Sequence, residues 1–258
     1  MTDHDRPFAL VTGASSGIGL ELARVIKANG FDLVVVAEEP RIHDVAAELG
    51  DGAQAFVTDL ATRQGNEDLV AWLDALRRPL GVAALNAGIG VGGPFVETSL
   101  DADLRLVGLN VASTVHLAKA VSRSMVANRG GRILFTSSIA SQMPGPYNAT
   151  YAASKAFVQS LSEALRVELA EHGVSVTALL PGPTDTEFFE RAGLEGTRVD
   201  QGTKDDPAMV ARAGFEALMA GKHEVVTGTR NKLQRQAVKV APDPVKARLH
   251  GHLNERKD

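Results

Sequence analysis

Seven short apolar segments alternate with longer amphipathic segments along this chain. They cover residues 8–11, 32–37, 53–58, 82–86, 132–137, 175–180 and 224–227. Most are continuous runs such as "LVVVA" rather than alternating patterns, which is typical of strands that helices cover on both faces. Alternation of strands and helices over the whole chain predicts a parallel sheet within a doubly wound, Rossmann-type α/β sandwich.

Three of the intervening segments have apolar residues at the spacing of helices. The first spans residues 18–29 and ends at Asn29-Gly30, a pair that can end a helix in the left-handed conformation. Its inward face is predicted to consist of Leu20, Leu22, Ala23, Val25 and Ile26. Two longer helices are predicted at about residues 99–128 and 150–172.

Composition excludes several classes of function. The 258 residues, 44% of them hydrophobic, are enough for one large α/β domain, residues 1–258. No apolar run approaches the ~18 residues of a membrane span and no signal peptide is visible, so we expect no membrane partner and a cytoplasmic location. A net charge of −4 argues against nucleic acid as a partner. The chain has no cysteine, and its seven histidines are scattered, so we expect no metal site.

A glycine-rich stretch, "VTGASSGIG", joins the first predicted strand to the first helix. At the carboxyl edge of a parallel sheet, the N–H groups and the positive dipole end of such a helix can hold a phosphate. Three glycines would let the strand turn, let a diphosphate approach the backbone and let the helix pack on the sheet. The alternative is a tight turn that only caps a helix. We predict that the dinucleotide contacts Gly13, Ser15, Ser16, Gly17, Ile18 and Gly19.

Acidic residues follow the second strand. Glu38 lies at the distance where a carboxylate accepts hydrogen bonds from the adenosine ribose, and it would repel a 2′-phosphate. Because Arg41 is the only cation nearby in the sequence, NAD(H) is favoured and NADP(H) is the second candidate cofactor. The alternative is that Glu38 and Glu39 only begin a helix, where acidic residues favour the dipole.

Two weaker signals follow the third and fourth strands. Asp59 and Leu60 end the stretch "VTDL", and Asp59 would bond the edge of an adenine. Asn86-Ala87-Gly88 would bring a backbone of small residues against a ribose. Each of these motifs alone is common, so each supports a dinucleotide site only in combination with the glycine-rich turn.

A hydroxyl, a phenol and an ammonium group follow the fifth strand. Ser138 closes that strand, and Tyr151 and Lys155 are four residues apart on one face of the next helix. An ammonium about 4 Å away would favour the phenolate by up to ~4 kcal/mol and bring the pKa of Tyr151 from about 10 towards neutrality. The phenol would then exchange a proton with an alcohol or carbonyl while Ser138 holds the same oxygen. In the preceding helix, Asn110 would either bond the backbone or hold a water linked to Lys155.

Each of these residues also has an ordinary interpretation. Tyr and Lys four residues apart are a common surface pair, and Ser at a strand end belongs to ordinary turn chemistry. Their occurrence together, downstream of the glycine-rich turn, favours a catalytic site.

The motifs jointly resemble the short-chain dehydrogenase/reductase family over essentially the whole chain. Thr12 to Gly19 matches TGxxxGxG, residues 86–88 match NAG, and Tyr151 and Lys155 match YxxxK. The resemblance implies an NAD(P)-dependent oxidoreductase that acts on an alcohol/ketone pair. It also implies a seven-stranded parallel sheet and a homodimer or homotetramer packed through the two long helices.

The same resemblance assigns roles to individual residues. Tyr151 would be the acid/base, and Lys155 would bind the nicotinamide ribose and lower the pKa of the tyrosine. Ser138 would orient the substrate, and Asn110 would complete a proton relay. Pro181-Gly182 matches the family's PG motif after the sixth strand, and Thr184 would meet the nicotinamide carboxamide.

The substrate is less well defined. Residues 89–95, 142–148 and 184–206 are predicted to wall the substrate site, with the last as a lid over an apolar secondary alcohol or ketone. The alternative for that segment is a surface loop whose Phe188 and Phe189 pack on the domain. The basic tail from about residue 230 to 258 is predicted to be a solvated helix or a frayed arm.

Two other functions compete with the dehydrogenase. A non-catalytic dinucleotide-binding sensor or scaffold would be expected to lack Ser138, Tyr151 or Lys155, and all three are present. An epimerase or dehydratase of related fold tends to use a GxxGxxG turn and a larger C-terminal substrate domain, neither of which the chain contains.

Overall fold

Seven parallel strands form one sheet in the order β3-β2-β1-β4-β5-β6-β7. The structure, a computed structural model, describes residues 6–228 together with residues 231, 250, 251, 253 and 254. The strands are Phe8–Thr12 (β1), Asp32–Ala37 (β2), Ala53–Val57 (β3), Leu80–Leu85 (β4), Gly131–Thr136 (β5), Val174–Leu180 (β6) and Glu224–Val226 (β7). The predicted parallel sheet is confirmed, and every predicted strand lies within two residues of an observed one.

Helices cover both faces of the sheet. They are Gly17–Ala28 (α1), Ile42–Leu49 (α2), Arg63–Ala75 (α3), Leu100–Val107 (α4), Thr114–Ala127 (α5), Ala149–Ala170 (α6), Phe188–Arg191 (α7) and Pro207–Met219 (α8). Alternate residues of β1 enter two separate cores, since Ala9 and Val11 pack with α1, α2 and α8, whereas Phe8 and Leu10 pack with α3, α5 and α6. Burial on both faces explains why the strands are continuously apolar.

The strand order reverses at β1, which pairs with β2 on one side and β4 on the other. Val11 is the register partner of Val35 in β2 and of Ala84 in β4. Ligands of open α/β sheets bind beside the carboxyl ends of the strands at such a switch point. The glycine-rich turn after β1 and the segment after β4 both lie there.

The predicted inward face of α1 is only partly borne out. Leu22, Ala23 and Ile26 are buried, whereas Leu20 and Val25 are partly buried and pack against the margin of the same core. The helix packs against α8 as well as against the sheet, and its apolar stripe is therefore wider than the fully buried face.

The helix predicted at residues 99–128 is interrupted in its middle. A π-helical segment, Gly108–Ser113, separates α4 from α5 and contains Asn110. Gly108 lies against the third strand's exit loop, where a Cβ would come within 2.8 Å of the Ala61 carbonyl oxygen. Single π-helical turns within longer helices occur frequently at functional sites.

The lid segment, residues 184–206, is a loop closed at its base by backbone hydrogen bonds. Asp185 N donates to Asp205 O at 2.9 Å, and Asp205 N donates to Pro183 O at 2.8 Å. The lid contains α7 and has its own small core around Phe189 and Leu194, which are 6% and 2% exposed.

The described part of the C-terminal tail differs from the predicted solvated arm. Asn231, His250 and Asn254 are buried. Asn254 Nδ2 donates to Pro146 O at 3.0 Å, and Val199 N donates to Leu253 O at 2.9 Å. These contacts with two loops far away in the sequence explain the difference. Residues 229, 230, 232–249, 252 and 255–258 lie outside the described residues.

Candidate active site

One cleft at the carboxyl edge of the sheet brings together nearly all of the predicted site residues. Its volume is about 340 Å³. Ser138, Tyr151 and Lys155 line it together with every residue predicted to contact the dinucleotide. Asn110 lies behind the wall of the cleft rather than in it.

Glycine is required at two positions of the turn after β1. Gly13 has a φ of +65°, and a Cβ on it would lie 2.8 Å from Ala87 Cα. Gly19 lies where α1 meets the ends of β1 and β4, and a Cβ on it would overlap the Gly13 carbonyl oxygen and meet Asn86 Nδ2. Both glycines therefore allow the turn to pack tightly on the segment that follows β4.

The beginning of α1 has the properties of a diphosphate site. The first N–H groups of a helix have no acceptor within the helix, and the dipole makes that end positive. The first turn of α1 contains no acidic residue. Ser16, at the N-cap position, makes no side-chain hydrogen bond that caps the helix. The donors of Gly17, Ile18 and Gly19 therefore suit a dinucleotide diphosphate.

Asn86 ties together the ends of three strands. Its Nδ2 donates to Thr12 O at 3.1 Å and to Gly13 O at 3.3 Å, and its Oδ1 accepts from Thr136 Oγ1 at 2.9 Å. Thr12 Oγ1 accepts in turn from the backbone N–H groups of Asn86 and Ala87. Sequence reasoning assigned no role to Thr136, although a polar residue closing an apolar strand was a usable signal.

An arginine from α4 reaches the acidic residues after β2 and β3. Arg105 Nη1 donates to Asp59 Oδ2 at 2.9 Å, and its Nη2 forms an ion pair with Glu38. The hydrogen bond from Arg105 holds the pKa of Asp59 below its usual value. Arg41 is therefore not the only cation near these carboxylates in space, because Arg105 arrives from 67 residues away in the sequence.

A second group of charges connects the lid to the glycine-rich turn. Ser15 Oγ donates to Glu39 Oε2 at 2.7 Å, and Arg191 Nη1 of α7 donates to Glu39 Oε1 at 3.1 Å. Glu187 accepts from Arg41 at 3.0 Å and from Arg191 at 2.6 Å. An ion pair thus joins Glu39 to α7, a contact that its sequence position did not indicate.

Tyr151, Ser138 and Lys155 meet in the interior of the cleft. Ser138 and Tyr151 both line the cleft, and the Ser138 side chain acts to lower the pKa of Tyr151. Ser138 Oγ also accepts from Ala140 N at 3.1 Å. Lys155 Nζ donates to Thr136 O at 2.8 Å and lies 5.7 Å from the centroid of the Tyr151 ring.

The predicted shift of the Tyr151 pKa towards neutrality is wrong. Burial raises the pKa of Tyr151 to about 12, although the Ser138 side chain works in the opposite direction. Burial also lowers the pKa of Lys155 to about 8. Loss of hydration disfavours the charged form of both groups, and Lys155 directs its ammonium to the Thr136 carbonyl oxygen rather than to the phenol.

Asn110 bonds the backbone, which was one of the two roles left open by the sequence. Its Oδ1 accepts from Ile89 N at 2.9 Å, and its Nδ2 donates to Ile89 O at 2.9 Å and to Ser154 Oγ at 3.0 Å. A Cβ on Gly88 would come within 3.1 Å of Asn110 Oδ1 and 3.2 Å of Lys155 Nζ. Asn110 therefore fixes the segment after β4 directly beside Lys155.

The motif after β6 lies against the same strand ends. Ile139 N donates to Pro181 O at 3.0 Å, which joins the segment after β6 to the one that carries Ser138. Thr184 is buried, and its Oγ1 donates to Gly182 O at 2.9 Å.

The far end of the cleft is lined by the lid, the 142–148 loop and the described tail residues. The Phe188 ring lies 5.2 Å from the Tyr151 ring. Met143, Leu194 and Leu253 add apolar surface, and Asn148 and His250 add polar groups. Leu253 and His250 were missed from sequence, where nothing in the basic tail distinguished them.

The described residues give two further results. None of the helices in these ranges is long and apolar enough to cross a bilayer. Within the same ranges, no group of three or more His, Cys, Asp or Glu side chains is placed to hold a metal ion.

Comparison with known proteins identifies the family. The family model described as short chain dehydrogenase matches residues 7–195. Dehydrogenase/reductase SDR family member 7B of Bos taurus is 33% identical over 233 residues, which cover 84% of this chain and 72% of that protein.

Solved structures agree with this match. A short-chain dehydrogenase from Sphingobium yanoikuyae in complex with NADPH is 30% identical, with a TM-score of 0.83 over 90% of this chain and 92% of the other. A bulky-bulky ketone specific alcohol dehydrogenase from Comamonas testosteroni is 27% identical, with a TM-score of 0.76 over 90% and 92%. This chain therefore belongs to the short-chain dehydrogenase/reductase family and is an NAD(P)-dependent oxidoreductase.

Proposed function

We propose that the protein interconverts ketones and secondary alcohols, with Tyr151 exchanging the proton with the substrate oxygen. The observation that carries the proposal is that Ser138, Tyr151 and Lys155 line one cleft whose other half fits a dinucleotide diphosphate. A bound nicotinamide dinucleotide supplies or accepts the hydride.

The raised pKa of Tyr151 suits the phenol to the role of acid. With a pKa of about 12 the phenol keeps its proton at neutral pH and can donate it to a carbonyl oxygen. Ser138 donates to the same oxygen and stabilises its developing negative charge. With a pKa of about 8, Lys155 is largely charged at neutral pH and stabilises the phenolate that remains after proton transfer. Asn110 is a positioning residue in this scheme, because it acts through the Ile89 backbone.

We propose NAD(H) as the preferred cofactor and NADP(H) as the second candidate. Glu38 favours a free ribose hydroxyl over a 2′-phosphate. The preference for NAD(H) over NADP(H) is smaller than the sequence alone implied. Arg105 pairs with both Glu38 and Asp59, which offsets part of their negative charge and brings a cation within reach of a phosphate. The relative from Sphingobium yanoikuyae binds NADPH, which is consistent with a small difference in affinity between NAD(H) and NADP(H).

The substrate that we propose is predominantly apolar. Met143, Phe188, Leu194 and Leu253 line the end of the cleft beyond Tyr151, and apolar side chains around a few polar groups are typical of sites for small organic ligands. The relative from Comamonas testosteroni acts on bulky ketones, which supports the same class.

We also propose a homodimer or homotetramer formed through the long helices. Leu100, Leu104 and Val107 lie on one face of α4 and are 71%, 57% and 39% exposed. On α6, Phe157 and Val167 are exposed as well. As expected from the sequence, we propose that residues 1–258 form one domain. We also propose that the protein is located in the cytoplasm.

The test is a panel of ketones and secondary alcohols followed through nicotinamide absorbance with each cofactor. We expect turnover of several apolar ketones by the wild type, and turnover at least about 100-fold slower by the Tyr151→Phe variant. Tight cofactor binding without turnover of any member of the panel would instead indicate a dinucleotide-binding sensor or scaffold.

A further inference from the structure

We propose that His250 and Asn148 bind a second hydroxyl group of the substrate, apart from the oxygen that reacts at Tyr151. The inference rests on the proposed function and narrows the substrate to hydroxylated ketones and the corresponding diols. His250 lies beyond residue 195, where the family match ends.

The hydrogen bond of His250 defines which ring nitrogen can accept. Nδ1 lies 2.9 Å from the Pro144 carbonyl oxygen. A carbonyl oxygen only accepts, so Nδ1 carries the proton, and in the neutral ring Nε2 is left as an acceptor. Burial lowers the pKa of His250, which favours this neutral form. His250 lines the cleft, and Nε2 makes no hydrogen bond to any described residue. It therefore offers an acceptor to a ligand.

Asn148 is the second polar group at this end of the cleft. Its side chain is only 5% exposed and lines the cleft. Its Oδ1 is buried and has no hydrogen-bond partner among the described residues. A buried amide oxygen without a partner is costly. The amide offers a donor and an acceptor, which exchange places on rotation about χ2.

Asn148 and His250 both line the cleft that contains Tyr151, and both approach Gly145. A Cβ placed on Gly145 would come within 3.2 Å of Asn148 O and 3.3 Å of His250 Cε1. The absence of a side chain at Gly145 therefore leaves room for the His250 ring. Asn148 immediately precedes α6 and lies three residues before Tyr151, which is about 5 Å along a helix axis. One small molecule in the cleft can therefore place its reacting oxygen at Tyr151 and a second group beside Asn148.

A hydroxyl group matches this pair because it both donates and accepts. Its proton fits His250 Nε2, and its oxygen fits the Asn148 amide. A methyl group of similar size satisfies neither, and a carboxylate would face the lone pair of Nε2. Sites built to hydrogen-bond a hydroxyl discriminate strongly against analogues that lack it.

The test compares cyclohexanone, the three hydroxycyclohexanones, the methylcyclohexanones of the same substitution and the carboxycyclohexanones. Binding is measured by calorimetry to the Tyr151→Phe variant saturated with the oxidised cofactor, because the wild type could oxidise the secondary alcohol of a hydroxycyclohexanone. We expect at least one hydroxy isomer to bind about tenfold more tightly than its methyl counterpart. Turnover with the reduced cofactor is measured separately, so failure of the proposed function is distinguishable from failure of the inference.

Variants assign the effect to His250. His250→Phe should remove the preference for hydroxyl over methyl, and His250→Gln, which restores an acceptor, should recover part of it. The control is His223→Phe, since His223 is exposed and precedes β7 at the opposite edge of the sheet. Equal binding of hydroxy and methyl isomers, a preference for the carboxylates, or a preference unchanged in His250→Phe would each overturn the assignment.

Discussion

Lys155 Nζ lies 5.7 Å from the centroid of the Tyr151 ring and donates a 2.8 Å hydrogen bond to the Thr136 carbonyl oxygen. Both side chains are desolvated by the protein, which raises the pKa of Tyr151 to about 12 and lowers that of Lys155 to about 8. The first group to titrate above neutrality in this pair is therefore the lysine.

This order predicts the pH dependence of ketone reduction. Below pH about 8 Lys155 is charged and Tyr151 holds its proton, so kcat/KM should be level. Above it Lys155 loses its charge, and kcat/KM should fall about tenfold per pH unit, because the phenolate formed on proton transfer loses its stabilising cation. Steady-state kinetics from pH about 6 to 10 measure the profile.

Replacement of the lysine separates this effect from general alkaline loss of activity. Lys155→Arg keeps a cation whose pKa exceeds ~12, and its descending limb should move to higher pH even if its rate is lower throughout. Lys204→Arg, at a lysine paired with Asp200 in the lid, is the matched control and should retain the wild-type profile. If kcat/KM of Lys155→Arg still began to fall near pH 8, the descending limb could not be assigned to Lys155.

Removal of the phenol hydroxyl should abolish catalysis without loss of the fold. Tyr151→Phe keeps the ring that packs against Phe188 and removes only the proton donor. We expect kcat to fall by about 10²- to 10⁴-fold, while the dissociation constant of the cofactor, measured by fluorescence quenching, changes little.

The chain offers one matched control for this variant, since Tyr147 is its only other tyrosine. Tyr147 is 37% exposed, and Tyr147→Phe should keep near-wild-type kcat. Residual activity of Tyr151→Phe within threefold of the wild type would exclude the phenol as the acid.

Cofactor preference should depend on Arg105 as much as on Glu38. Glu38→Gln removes the carboxylate that repels a 2′-phosphate and releases Arg105 from one of its two partners. We expect NADPH affinity to rise about tenfold, or about 1.4 kcal/mol, with little change for NADH. Arg105→Gln should weaken NADPH binding more than NADH binding.

Fluorescence titrations with both cofactors measure these affinities. Arg63→Gln, which removes an exposed ion pair with Glu67 on α3, controls for the loss of one positive charge. If Arg105→Gln weakened the binding of both cofactors equally, Arg105 would be a structural bridge rather than a determinant of preference.

The attachment of the lid to the segment after β2 should depend on Arg191. Its guanidinium pairs with Glu39 and with Glu187, and so joins α7 to the segment after β2. Because these pairs are partly exposed, each is worth no more than about 1 kcal/mol. Arg191→Gln should therefore speed cofactor dissociation in stopped-flow measurements by up to about tenfold.

A double-mutant cycle tests the contact itself. In the Glu39→Gln background, Arg191→Gln should have a smaller effect, because one of its partners is already neutral. Full additivity of the two substitutions would show that Arg191 does not act through Glu39.

Sequence patterns predicted the sheet well because its strands are apolar on both faces and separated by helical segments. The interruption of the helix at residues 99–128 could not be predicted in this way, since the π-helical segment around Gly108 depends on a close approach to Ala61. Periodicity within one helix contains no information about such a contact.

The candidate site shows the same limit. The glycine-rich turn, Ser138, Tyr151 and Lys155 were visible because their chemistry depends on residue type and local spacing. Arg105 and His250 were not visible, because each reaches the cleft through contacts between segments far apart in sequence. The error on the Tyr151 pKa has a related cause, because a sequence gives the spacing of two charges but not their desolvation.

The exposed apolar face of α4 should form a subunit interface. Leu104 is 57% exposed on the same face as Leu100 and Val107, and such a stripe is stabilised when a second subunit covers it. Leu104→Glu should shift the oligomer towards monomer at micromolar concentration, as measured by light scattering coupled to size exclusion. Val96→Glu, at a residue 91% exposed in the loop before α4, is the control and should leave the molar mass unchanged. An unchanged oligomer in Leu104→Glu would mean that another surface forms the interface.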